Sequence, residues 1–121
     1  MGRVTNRVDP AALGDLAGAP ARATLAWEAE GGRLGVAPVR YIGRDGRHYL
    51  ETPREDPAPR PGLRASLVLD DGWSWFALRA VTLRGTLAAG PDAGRPEGWL
   101  ELVPERVTAW DYGTLHAEGG P

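Results

Sequence analysis

The sequence has no cysteine and no lysine, and it has only two histidines, one methionine and one phenylalanine. Without cysteine there is no disulfide, no thiolate metal site and no cysteine nucleophile. Without lysine no Schiff base forms on the protein. All 14 basic residues are arginine, so any side-chain cation that meets a phosphate is a guanidinium. Two histidines do not make an ordinary zinc cage. No apolar run reaches the length of a membrane span. The opening stretch MGRVTNRVDPAALGDLAG lacks the apolar centre of a secretory signal. A cytoplasmic protein with no membrane partner is expected. A net charge of -2 supplies no bulk field for nucleic acid, and no nucleic-acid partner is expected.

What is present reads as β structure. The 121 residues suit one domain, 1–121, and 17 glycines with 11 prolines mark frequent turns. Residues 1–8 read as a loose leader. Residues 9–18 read as a short helix, capped by Asp9 with Pro10 in its first turn. A barrel is expected over residues 23–115. Strands are expected at Ala23–Ala29, Leu34–Ile42 and His48–Glu51, joined at Gly31-Gly32 and Asp45-Gly46. Thr52 to Gly62 holds four prolines and reads as an extended loop. LRASLVLDDG is the next strand, and Trp73 to Ala88 the longest. WLELVP and RVTAWDYG then read as two strands about a Pro104-Glu105 turn. The expected class is all-β with one short N-terminal helix, folded as a six-stranded antiparallel split β-barrel.

The ordered words GVAPVRYIGRDGRHYLET, LRASLVLDD, WFALRAVTLRGTL and LELVPERVTAWDYGTL resemble the flavin-binding split-barrel family. That group contains pyridoxamine 5'-phosphate oxidase-like proteins and related flavin- or deazaflavin-dependent oxidoreductases. The resemblance runs from about Ala23 to Leu115. It implies a homodimer with FMN, or the deazaflavin F420, in clefts at the interface. It places Pro38, Val39, Arg40 and Tyr41 on the strand beneath the ring. Thr52 matches a hydroxyl that bonds phosphate, and Arg54 matches a basic residue beside it. Arg60 and Arg64 stand ready to add positive charge. Trp110 matches the closing strand near the cleft. Two features depart from the family pattern. PREDPAPRPGL carries no lysine, and AAGPDAGRPEG leaves no room for an inserted helix.

Two functions follow. One is a small-molecule oxidoreductase that binds FMN or F420. The other is a cofactor-free split-barrel module that binds a ligand or dimerises after losing its phosphate clamp. Haem, known in some split-barrel relatives, would need His48 or His116. Arg40 suits either a ligand contact or an ion pair, and Arg79 suits a rim or interface ion pair or a ligand. Trp73 and Trp75, two apart, share a face and fill a barrel end, stack on a ligand or line an interface. No acid–base side chain stands out, which fits hydride transfer by a cofactor.

Overall fold

The computed structural model describes residues 7–18, 20–71, 79–93, 95 and 98–111. Trp73, Trp75 and His116 lie outside the described residues. The strands are β1 (Arg7–Val8), β2 (Arg22–Glu28), β3 (Leu34–Pro38), β4 (Tyr41–Arg44), β5 (Arg47–Glu51), β6 (Arg64–Asp70), β7 (Arg79–Ala89) and β8 (Trp99–Asp111). Every pairing is antiparallel, in the order β3-β2-β6-β7-β8-β5-β4, and β1 pairs with β8. Arg7 and Val8, expected in the leader, lie opposite Trp110 and Ala109.

The expected helix is a 3-10 turn, Pro10–Leu13, followed by α1, Gly14–Gly18. The Asp9 carboxylate accepts from the Ala11 amide at 3.0 Å, which satisfies one donor of the first turn. Leu13 and Leu16 are buried and join the core.

The main path has seven strands where a six-stranded barrel was expected: the expected strand Leu34–Ile42 is divided between two partners, and the two expected about Pro104-Glu105 are one. Leu34 to Arg44 runs as a single extended stretch, but only its first half pairs with β2 and only its second half with β5. The switch falls at Val39–Arg40. The Val39 amide donates to the Ala23 carbonyl, and the Arg40 carbonyl accepts from the Glu51 amide, both at 2.9 Å. The same stretch is therefore both ends of the sheet, and this closes the barrel with a split beside β2.

Alternation along the strands fills the barrel. Leu25 and Trp27 of β2, Leu50 of β5, Leu67 and Leu69 of β6, Val81, Leu83 and Leu87 of β7, and Leu100 and Leu102 of β8 are all buried. Each buried leucine contributes about 1.5–3 kcal/mol. Trp27 lies opposite Gly35, and a Cβ on Gly35 would stand 2.2 Å from the indole, so only glycine fits under that ring.

The turns use positive φ where the sequence supplies glycine or aspartate. Asp45 (φ 53) and Gly46 (φ 74) form the two-residue β4–β5 hairpin. Pro104-Glu105, expected as a turn, is instead a bulge inside the thirteen-residue β8. Proline lacks the ladder donor, so it is tolerated where pairing slips. The register shift falls at Arg84/Gly85, and a Cβ on Gly85 would lie 1.9 Å from the Val103 carbonyl oxygen.

The proline-rich loop is fixed to the barrel. The Trp27 indole N–H donates to the Pro57 carbonyl at 3.2 Å, and the Gly62 amide donates to the Leu87 carbonyl at 2.8 Å. Among the described residues no helix is long and apolar enough to cross a membrane.

Candidate functional site: a notch at the barrel split

The partner switch leaves β3 and β4 diverging, and the end of β5 faces the gap. Pro38, Val39 and Arg40 from the switch, with Glu51, Thr52, Pro53 and Arg54 from the end of β5, line a notch of about 250 Å³. Five of the nine residues expected to bind cofactor meet there: Pro38, Val39, Arg40, Thr52 and Arg54.

Two polar atoms in this notch are buried and have no hydrogen-bond partner, Thr52 Oγ1 and Glu51 Oε2. The Thr52 amide is satisfied by the Gly98 carbonyl at 2.9 Å, so the strand end is held while its hydroxyl is not. Arg40 Nη1 lies 3.2 Å from Glu51 Oε2. That distance makes an ion pair, but the atom is without a well-directed hydrogen bond. The Arg40 side chain is 79% exposed, so solvent screens this ion pair and it holds Glu51 weakly. Buried polar atoms are almost always paired, and two such exceptions in one notch fit a bound group that donates and accepts hydrogen bonds.

A second hollow of about 370 Å³ adjoins the notch on the same outward face, lined by Ile42, Arg44, Tyr49, Pro91 and Trp99. Tyr49 and Glu51 are two apart on β5, and Trp99 lies directly opposite Glu51. Two aromatic rings and an isoleucine give this cleft apolar walls suited to a flat ring system.

The remaining expected site residues lie elsewhere. Tyr41 shares a third hollow with Val39 and Arg40, on the β2 side of the split. Its phenol is hydrogen-bonded to His48 Nδ1 at 2.8 Å, and the two rings stack. Burial pushes the Tyr41 phenol up to about 12 and pulls His48 below its usual range. Arg60 is paired with Glu30, and Arg64 lines a separate hollow with Arg84 and Glu28. Trp110 is half-buried opposite Ala80 and Arg7. Arg79 makes two ion pairs, with Asp71 at 3.3 Å and with Asp15 at 3.2 Å.

Sequence reasoning did not name Glu51, Tyr49, Trp99 or Ile42 as site residues. Tyr49 and Glu51 carried one signal, alternation with buried Leu50. The approach of Trp99 depends on the β5–β8 register, which no local pattern in the sequence reveals.

No protein-family model matches the chain, and no curated protein matches it. Solved structures do. A conserved hypothetical protein of Mycobacterium tuberculosis superposes with a TM-score of 0.71 at 19% identity, covering 100% of this chain and 94% of that one. A FAD-binding protein from Mycobacterium smegmatis gives 0.65 at 16% identity, covering 85% and 96%. A candidate pyridoxamine 5'-phosphate oxidase from Corynebacterium glutamicum gives 0.64 at 12% identity, covering 88% and 96%. The fold is the pyridoxamine 5'-phosphate oxidase-like split barrel. In this split barrel the notch is where the closing strand leaves β2 for β5, so its position follows from the topology that defines the fold.

Proposed function

We propose that this split barrel binds a flavin on the outward face of β4, β5 and β8. The ring lies in the Ile42–Tyr49–Trp99 cleft, and the tail enters the notch between Arg40 and Arg54. The observation that carries the reading is the pair of unsatisfied buried oxygens in a notch that opens beside an aromatic cleft. The solved structures with this fold include a FAD-binding protein, which supports a flavin as the class of ligand. FMN is the first choice within that class, and F420 the second. The bound flavin supplies redox chemistry, and the chain supplies position and electrostatics. We read the protein as a cytoplasmic homodimer and a small-molecule oxidoreductase.

The test is an absorbance spectrum of the purified protein, followed by titration with FMN, F420 and FAD. Saturable binding with quenched flavin fluorescence is expected. Arg54→Ala should weaken FMN by more than tenfold, about 1.4 kcal/mol, as expected for loss of a charge-assisted contact. An unchanged dissociation constant removes Arg54 from the site.

A second reading is a ligand-binding or dimerisation module without cofactor. Two ion pairs favour it: Arg60 is engaged by Glu30 and Arg40 by Glu51, which lowers the positive charge offered to a phosphate. A protein that ignores all three flavins supports this reading.

A further inference from the structure

We infer that the floor of the notch is a hydroxyl-recognition subsite, in which Glu51 and Thr52 hold a polyol and phosphate stays at the arginine rim. The inference rests on the proposed flavin reading for the identity of the whole ligand, but its chemistry comes from the two buried oxygens without a hydrogen bond.

Glu51 Oε2 is a buried acceptor with no hydrogen bond, its charged neighbour being the exposed Arg40 guanidinium at 3.2 Å. A phosphate placed against it would meet a like charge. A hydroxyl placed against it donates a charge-assisted hydrogen bond. The Thr52 hydroxyl, also buried and unpaired, both accepts and donates, so it complements a neighbouring hydroxyl on the same ligand. A carboxylate facing sugar hydroxyls is a recurring solution in nucleotide recognition. Positive charge is placed differently: Arg40 is largely exposed and Arg54 is exposed, both at the edge of the notch. The notch therefore orders its ligand, with hydroxyls deepest and any phosphate outermost. In a flavin the ribityl chain carries those hydroxyls, between ring and phosphate.

The experiment compares lumiflavin, which lacks the ribityl chain, with riboflavin and FMN, on the wild type, Glu51→Gln and Thr52→Val. Ribitol is titrated in parallel, with the Thr52 and Arg40 amides followed by NMR. The expected result is at least tenfold weaker riboflavin binding in both variants, with lumiflavin unchanged. Two outcomes overturn the inference while leaving the flavin reading intact. One is equal affinity of the wild type for riboflavin and lumiflavin. The other is a Glu51→Gln protein that binds FMN more tightly and riboflavin unchanged, since Glu51 would then only repel phosphate. If no flavin binds, the flavin reading fails by itself. Ribitol-induced shifts at Thr52 would then sustain the subsite, and their absence would overturn it as well.

Discussion

Thr52 carries a conflict between stability and binding. Its hydroxyl is buried and unpaired, a state that costs free energy in the ligand-free protein. Valine has nearly the same shape without the hydroxyl. Thr52→Val should therefore raise stability by about 1 kcal/mol, read as an increased Tm. The same change should weaken ligand binding. Replacing a residue that served only the fold would lower stability and leave the affinity of the folded protein unchanged, so denaturation and titration of one variant separate the roles. Two other side chains set the acid sensitivity. The Arg47 guanidinium bonds the buried Glu101 carboxylate at 2.6 and 2.9 Å and holds its carboxyl below the usual 4.5. The folded state thus binds that proton less readily than the unfolded state. The contribution is complete above about pH 4.5 and is lost as pH falls below it. His48, held below its usual 6.5 by burial, works in the same direction and is lost as pH falls below that value. Thermal unfolding from pH 7 downward should show two successive losses. His48→Gln should flatten the first and Glu101→Gln the second. Of these residues, Thr52, Arg40 and Arg54 were legible in the sequence through the words around them. Glu51 and Glu101 were not, because an acidic residue in a strand looks solvent-facing until its cross-strand neighbours are known.

At the scale of elements, alternation was legible wherever one face of a strand is buried. RASLVLD shows it cleanly, with Ala65, Leu67 and Leu69 inward. Leu67→Ala should cost about 3 kcal/mol, measured by chemical denaturation. Two elements were misread for one reason: hydrogen-bond partners are non-local. Val39–Arg40 continues an extended backbone, so nothing nearby in sequence marks the change from β2 to β5. Pro104-Glu105 carries a turn composition, yet β7 continues beside it and converts the turn into a bulge. Gly85 is the matching signal on the other strand. Gly85→Ala should destabilise by about 3 kcal/mol through the clash with the Val103 carbonyl. The same substitution at Gly31, where no atom lies within 4 Å of the added carbon, meets only the cost of its positive φ (74°). Comparing the two variants by Tm isolates the bulge contact.

At the scale of the molecule, the outer face of β3 shows apolar side chains to solvent, with Leu34 at 73% and Val36 at 65% exposure. The proposed homodimer would cover surface of this kind. Light scattering should give twice the monomer mass, and Val36→Glu should shift the population toward monomer if this face is the contact. An unchanged mass would place the contact elsewhere. The closure of the barrel has a further consequence. A single stretch, Leu34–Arg44, belongs to both edges of the sheet, and its partner switch is also a wall of the notch. Loosening Val39–Arg40 would open β2 and β5 together, so these distant strands form one unit of solvent exchange. A molecule lodged in the notch braces that keystone. Its arrival should be recorded by slower amide exchange at Leu25, whose amide faces β3, as well as at Tyr49, whose amide faces β4, although neither side chain lines the notch.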